Sequence, residues 1–294
     1  MWSLVSRAFL ISVLLGRVSA QTGLEDSVNK AFGNLSGAVV VVKVKDGRIL
    51  AAHNLASLRT RIATPGSAIK PFTLELLLDK GLIRPTERIA CRRNLIVGEK
   101  SLRCSHPAEL TTFDAEEALA FSCNSYFVNA AARLHAGDLE RRFAELGFTR
   151  ASGLQTGEGE GRITTASNLA ARQLLAVGAA GIEITPMEMA AGYLRLARLD
   201  LASASPAQKI VFEGLRAAAD YGLARGVRAD KISVAGKTGT ASAVNDPHTH
   251  AWFAGFAPAE KPEIVVVVFL ERGRGSVEAA GLARQIFEAY AESR

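Results

Sequence analysis

The 294-residue chain carries no low-complexity tract and no internal repeat. Those absences exclude a disordered linker and a stacked solenoid. Apolar runs of membrane-spanning length are missing too. The run from Val265 to Leu270 is short and β-branched and reads as a buried strand. Basic residues are unclustered. Lys and Arg number 35 against 29 Asp and Glu, a formal charge of +6, and no stretch interleaves cations with aromatics. A nucleic-acid-binding role has no footprint here. Cysteine is scarce: three residues, an odd number, so at least one stays outside any pairing within the chain. What the chain does have is apolar mass, 48 % of its residues, enough to bury a sizeable core in one large domain or two subdomains.

Residues 1–20 read as a secretory signal peptide. Arg7 supplies the positive start, Ala8 to Leu15 the apolar segment, and Val18-Ser19-Ala20 a small-residue cleavage site. An uncleaved anchor stays open, because Arg17 lies close to that site, and any membrane association would run through this segment alone. The expected location is outside the cytoplasm, in the periplasm, cell envelope or medium, where disulfides form. Cys91 and Cys104 bracket Arg92 to Arg103, with a hairpin-like turn at Val97-Gly98-Glu99-Lys100. They are expected to pair, two buried free thiols being the alternative, and Cys123 is expected to be free and buried.

Residues 21–36 form an exposed or helical lead-in. Gly37 to Val44 is strand-like, Lys45-Asp46-Gly47-Arg48 turns it, and Ile49 to Ala52 returns. A long helical region follows: Thr111 to Leu119 with an acidic first turn, Ser125 to His135, Asp138 to Leu146, Ala166 to Val177, Pro186 to Leu199, and residues 206–224. Strands resume over Lys231 to Ser242, a turn at Asn245-Asp246-Pro247, His250 to Phe256 and Ile264 to Leu270. A helix from Ser276 to Tyr290 closes the chain. Strands at both ends with helices between predict an α/β (α+β) fold. One antiparallel sheet is built from both chain ends, with its α/β part at about 35–70 and 225–294 and an all-α insertion at about 71–224.

The chemistry gathers at Thr64-Pro65-Gly66-Ser67-Ala68-Ile69-Lys70-Pro71-Phe72. A Pro-Gly turn leads into an apolar helix that stops at Lys80-Gly81. Ser67 and Lys70, three residues apart, share a face. A hydroxyl needs a base to become a nucleophile, and a lysine can serve once burial or a neighbouring cation lowers its pKa. In isolation the pair is an N-cap serine and a solvated lysine. Two later stretches alter that reading: Ser122-Cys123-Asn124 between helices, and Lys237-Thr238-Gly239-Thr240 on a strand.

This trio, in this order and these contexts, resembles the transpeptidase domain of penicillin-binding proteins, a serine acyltransferase group that includes β-lactamases. Thr64-Pro65-Gly66, Tyr126-Phe127, Ile184-Thr185-Pro186-Met187 and His250-Ala251-Trp252-Phe253-Ala254-Gly255-Phe256 extend the similarity to roughly residues 35–292. The resemblance implies a β-lactamase/transpeptidase-like fold. It implies Ser67 as the nucleophile toward peptidoglycan stem peptides ending in D-Ala-D-Ala, Lys70 as its proton acceptor and Ser122 as a proton relay. Asn124 would meet the substrate amide, and Lys237, Thr238 and Thr240 its terminal carboxylate. Gly239 would clear the strand edge for an extended peptide. The Ser67 and Thr240 amides would form the oxyanion hole. β-Lactams would be inhibitors, and no metal or other cofactor is implied. The mild basic excess suits an acidic polymer such as a cell wall.

The favoured reaction is D,D-transpeptidation. A D,D-carboxypeptidase, a serine β-lactamase and a non-catalytic peptidoglycan- or β-lactam-binding sensor stay open as alternatives. The glycosyltransferase or pedestal domain of larger relatives has no counterpart in residues 21–36. His248 and His250 read as a polar pair, Glu158 and Glu160 as solvated loop carboxylates, and Trp252 as a core or cleft-wall aromatic.

Overall fold

The computed structural model describes residues 23–242 and 248–294. The expected signal peptide and the Asn245-Asp246-Pro247 turn lie outside the described residues. Helix α1 spans 23–32. Strands β1 (Gly37–Lys43) and β2 (Ile49–His53) form the opening hairpin, followed by the short α2 (Leu55–Thr60). A 3₁₀ turn, Gly66–Ile69, runs directly into α3 (Lys70–Asp79). The insertion then carries β3 (Ile89–Ala90), β4 (Asn94–Val97), β5 (Lys100–Arg103) and β6 (Thr112–Phe113). Helices α4 (Ala115–Ala120), α5 (Asn124–Ala131) and α6 (Asp138–Glu145) follow. Next come β7 (Arg162–Ile163), α7 (Leu169–Ala176), β8 (Ile182–Glu183), α8 (Pro186–Ala197) and α9 (Pro206–Asp220). Strands β9 (Ala235–Ser242), β10 (Thr249–Ala257) and β11 (Ile264–Leu270) return to the sheet, and α10 (Ala280–Glu292) ends the chain.

The main sheet has the order β2-β1-β11-β10-β9, antiparallel throughout, so both chain ends build it as expected. Its central strands are apolar on both faces because both faces are covered. Ala38, Val40 and Val42 of β1 and Val265, Val267 and Phe269 of β11 belong to the core shared with α3, α5 and α8. The alternate residues Val39, Val41, Val266 and Val268 pack against Leu24, Val28 and Phe32 of α1 and Leu282, Ile286 and Phe287 of α10. A period of two therefore divides one sheet between two cores.

Residues 71–224 are not all helix. Three two-stranded pairs, β3–β6, β4–β5 and β7–β8, punctuate them. Each is two to four residues long, too brief for apolar alternation to register. The β4–β5 hairpin turns at Gly98, φ +56°, where the sequence placed a hairpin-like turn. Capping boxes at Asp114–Glu117, Thr185–Glu188 and Ser205–Gln208 start α4, α8 and α9. Within α10, a Cβ added at Gly281 meets nothing within 4 Å. Gly281→Ala is expected to stabilise the protein by about 0.5–1 kcal/mol, read as a higher denaturant midpoint at unchanged slope.

Candidate active site

Gly66–Ile69 brings Ser67 to the wall of a cleft of about 410 Å³, which Asn124, Ser122, Thr238, Thr240 and Arg103 also line. The serine-bearing turn is tied down on every side. Gly66 N–H donates to the Gly178 carbonyl at 3.0 Å. Trp252 Nε1 donates to the Thr64 carbonyl and the Tyr193 hydroxyl to the Ala68 carbonyl, each at 3.0 Å, and both side chains are fully buried. Trp252 was expected as a core or cleft-wall residue, and it serves as a core residue that also fixes the approach to Ser67. Tyr193 escaped the sequence reading. Its position on α8 looks like any other apolar helix position, and nothing local signals a hydrogen bond to a turn 125 residues away.

Ser122 sits in the α4–α5 connection at φ +53°, a left-handed conformation that costs a non-glycine residue of order 1–3 kcal/mol. Its neighbours enforce it: Ser122 N–H donates to the Leu119 carbonyl and Cys123 N–H to the Ala118 carbonyl, at 3.2 and 3.0 Å. The result aims the Ser122 hydroxyl at two buried lysines. Lys237 Nζ donates to Ser122 Oγ at 2.8 Å and to the Thr238 carbonyl at 3.1 Å. Lys70 Nζ donates to Ser122 Oγ at 3.3 Å, to the Ser122 carbonyl at 2.9 Å and to Asn124 Oδ1 at 2.6 Å. The Phe127 ring lies 5.0 Å from that amine. Ser67 Oγ is not among the acceptors that hold Lys70.

Two ammonium groups sharing one hydroxyl in a buried site are electrostatically unfavourable. Burial depresses the Lys70 amine to about 8. Burial, and then the charge of Lys70, push Lys237 well below the ordinary lysine range. The repulsion is mutual, so the pair sheds a proton as a unit. One neutral amine is thus available near neutral pH.

Two of the residues expected to meet substrate also have partners within the protein. Asn124 has a partner at each end, its Oδ1 accepting from Lys70 and its Nδ2 donating to the Arg103 carbonyl at 3.0 Å, and it also lines the cleft. Gly239 does not line the cleft. A Cβ there would lie 2.4 Å from the Pro65 carbonyl oxygen and 3.1 Å from the Ala68 amide nitrogen. Its missing side chain lets β9 press against the serine turn rather than against a peptide. β9 is nonetheless an edge strand, bonded only to β10 within the sheet, so an extended chain could pair with it.

Lys100 and Arg103 of the β4–β5 hairpin reach the same cleft. From the sequence that hairpin reads as a disulfide clip only. His250 is structural, as expected. Its Nδ1–H donates to the Glu271 carbonyl at 3.0 Å, and Arg61 donates to its Nε2 at 3.4 Å. Glu158 is not a solvated loop carboxylate. It accepts the Ser152, Gly153 and Gln155 amides and shapes the loop.

The expected Cys91–Cys104 disulfide is absent. All three thiols are free, and Cys91 Sγ stands 3.6 Å from Cys104 Sγ. Cys123 is free and buried as expected.

A family model described as penicillin binding protein transpeptidase domain matches residues 37–289. Among curated proteins, the peptidoglycan D,D-transpeptidase MrdA of Acinetobacter baumannii is 38 % identical over 87 residues, 25 % of this chain and 13 % of that protein. The stage V sporulation protein D of Bacillus subtilis is 24 % identical over 255 residues, 74 % of this chain and 39 % of that one. The chain thus matches well under half the length of either relative. Pseudomonas aeruginosa PBP2 superposes with a TM-score of 0.79 at 22 % identity, over 91 % of this chain and 76 % of its own. The penicillin-binding protein PBP2 of Helicobacter pylori gives 0.80 at 20 %, over 90 % and 61 %. At those identities the likeness concerns the fold.

Proposed function

Because the chain belongs to the penicillin-binding protein transpeptidase domain family, we propose that it is a serine D,D-transpeptidase acting on peptidoglycan stem peptides. The observation that carries this reading is the Lys70–Ser122–Lys237 arrangement, two buried amines on one hydroxyl beside the cleft that Ser67 lines.

Ser67 Oγ attacks the carbonyl carbon of the penultimate D-alanine. The neutral Lys70 amine takes the hydroxyl proton, and Ser122 passes a proton to the leaving nitrogen as the C–N bond breaks and D-alanine departs. Attack by an acceptor amine on the acyl-enzyme then forms the cross-link and returns Ser67 to its hydroxyl form. In this complex the substrate's terminal carboxylate holds Lys237 in its charged form, against the burial that lowers its pKa. The field of Lys237, with the Thr238 and Thr240 hydroxyls, receives the terminal carboxylate, and that carboxylate in turn keeps Lys70 the neutral member of the pair. Backbone amides of Ser67 and Thr240 stabilise the oxyanion. A Cβ at Gly66 would touch the Thr240 backbone at 2.7–3.1 Å, which places the two segments side by side. Asn124 holds the Lys70 amine in position. β-Lactams acylate Ser67 in the same way. Export through the N-terminal segment would deliver the enzyme to this substrate. No helix among the described residues is long and apolar enough to cross a membrane.

Intact-mass measurement after incubation with a penicillin tests this. The wild-type chain is expected to gain the mass of one opened drug molecule, and Ser67→Ala none. With a D-Ala-D-Ala stem peptide and an acceptor amine, cross-linked product is expected. Product only from hydrolysis would assign the chain to the D,D-carboxypeptidases, and catalytic penicillin turnover to the β-lactamases.

A further inference from the structure

The cleft that Ser67 lines continues into a second space. Lys100, Ala179 and Ser242 line the cleft and also line a neighbouring cavity of about 310 Å³, whose other walls include Thr64, Arg162 and Glu183. The two spaces share that boundary. The walls of the second are fixed to the support of the nucleophile itself. Ala63 and Ile184 exchange backbone hydrogen bonds, each at 3.0 Å, and Gly66 N–H donates to the Gly178 carbonyl at 3.0 Å. Thr164 N–H donates to the Gly181 carbonyl at 2.9 Å, and β7 pairs Arg162 with Glu183 of β8. The cavity is thus held at a fixed offset from the serine turn, which lowers the ordering cost of binding there.

Charge is spread unevenly over these walls. Among the described residues, Lys100, Arg103 and Arg162 line the two spaces, and Glu183 is the one carboxylate that does. Arg162 Nε donates to Glu183 Oε2 at 2.6 Å, so those two charges offset each other. Lys100 Nζ donates to a neutral acceptor, the Ala179 carbonyl, at 2.8 Å. An ammonium has three donors, so two remain for a ligand. That bond also ties the hairpin's Lys100 to the segment that carries the cavity wall and aims the amine at the boundary of the two spaces.

The edge strand decides which part of a substrate arrives there. An extended peptide paired antiparallel with β9, its terminal carboxylate at Thr238 and its scissile carbonyl at the Thr240 amide, runs back toward Ala241 and Ser242. The residue before the penultimate D-alanine then lies at Ser242, on the shared boundary. A long side chain on that residue enters the second cavity. We propose that this cavity is a specificity subsite for that side chain, and that Lys100 selects side chains ending in a carboxylate. A carboxylate accepts the two remaining Lys100 donors in a charge-assisted pair. The carboxamide of the same side chain has the same shape and no charge, and a side chain ending in an ammonium alone meets a like charge. The direction of the peptide rests on the transpeptidase reading; the cavity and its charge do not.

The test is binding of three pentapeptides ending X-D-Ala-D-Ala to full-length Ser67→Ala protein, by isothermal titration calorimetry, so that no chemistry is required. X is diaminopimelate, its side-chain carboxamide, or lysine. The free carboxylate is expected to bind about 10-fold more tightly than the carboxamide, the scale of one charge-assisted hydrogen bond, and lysine most weakly. This comparison needs no variant at Lys100. Added to Ser67→Ala, Lys100→Met should bring carboxylate and carboxamide to within about twofold of each other, and Lys100→Arg should restore the preference. Equal affinities for the carboxylate and carboxamide peptides, or no measurable binding of any of the three, overturns the subsite. Lys100→Met protein that keeps the preference, or that weakens all three peptides equally, overturns the role of Lys100 and leaves it a tether of the hairpin. Selective binding without cross-linking by the wild-type chain would sink the transpeptidase reading alone, and cross-linking at equal efficiency from all three peptides would sink the subsite alone.

Discussion

Lys70→Met is expected to slow penicillin acylation by about 10²–10⁴-fold, the usual contribution of a positioned general base, while leaving the protein at least as stable as wild type. The two halves of this expectation have one cause. Lys70 is fully buried at 0 % exposure. A buried ammonium costs stability that an apolar chain of similar length does not. In the proposed mechanism it is retained because its amine, poised at about 8, accepts the Ser67 proton. Lys70→Arg tests the same point by another route. A guanidinium cannot shed its proton, so the positive charge is kept and the base is lost. Acylation rate by stopped-flow or timed intact mass, together with a thermal melt, separates the roles. A variant that lost both stability and acylation would make Lys70 a structural residue. One that kept fast acylation would remove it from the mechanism.

The pH profile follows with its sign fixed. In the proposed mechanism the reactive form of Lys70 is the neutral amine, so the acylation rate should rise with pH and level off above about 8. Well below that pH it should fall roughly tenfold per unit. The limb is expected to report the lysine pair. Its midpoint belongs to Lys70 and Lys237 jointly.

The sequence made the sheet and the active-site pairings readable for different reasons. Strands β1, β10 and β11 are long and largely apolar, so their type and their common sheet could be inferred before any coordinates. Ser67, Lys70, Ser122 and Lys237 could be named because their spacings fall in separate, recognisable contexts. What stayed hidden depends on long-range approach. The left-handed backbone of Ser122 follows from how α4 ends, not from the residue itself. The engagement of Asn124 by Arg103 crosses 21 residues of sequence. The short pairs β3–β6 and β7–β8 leave no periodic trace. The cysteine reading failed on a subtler point. Cys91 and Cys104 are indeed neighbours, as bracketing a hairpin suggested, but Cys123 and His106 converge on them from elements that the sequence reading treated separately.

Gly239→Ala should damage the site without touching any group that performs chemistry. Its Cβ would sit 2.4 Å from the Pro65 carbonyl oxygen, and both partners are backbone held by a strand ladder and a 3₁₀ turn. Neither can rotate away as a flexible side chain could. The contact must be relieved by moving β9 from the Gly66–Ile69 turn, which carries Thr238 and Thr240 away from Ser67. Overpacking of this kind costs about 1–3 kcal/mol, some 2–10 °C in melting temperature for a domain of this size. A displacement near 1 Å of the reacting groups costs about 100-fold in rate. The acylation loss should therefore exceed what the melt alone would suggest at the assay temperature, where the variant is still folded. Had Gly239 served only to admit a peptide, penicillin acylation would hardly change and only the stem-peptide reaction would suffer. Measuring both reactions on Gly239→Ala decides between a glycine that shapes the nucleophile's turn and one that clears a path for substrate.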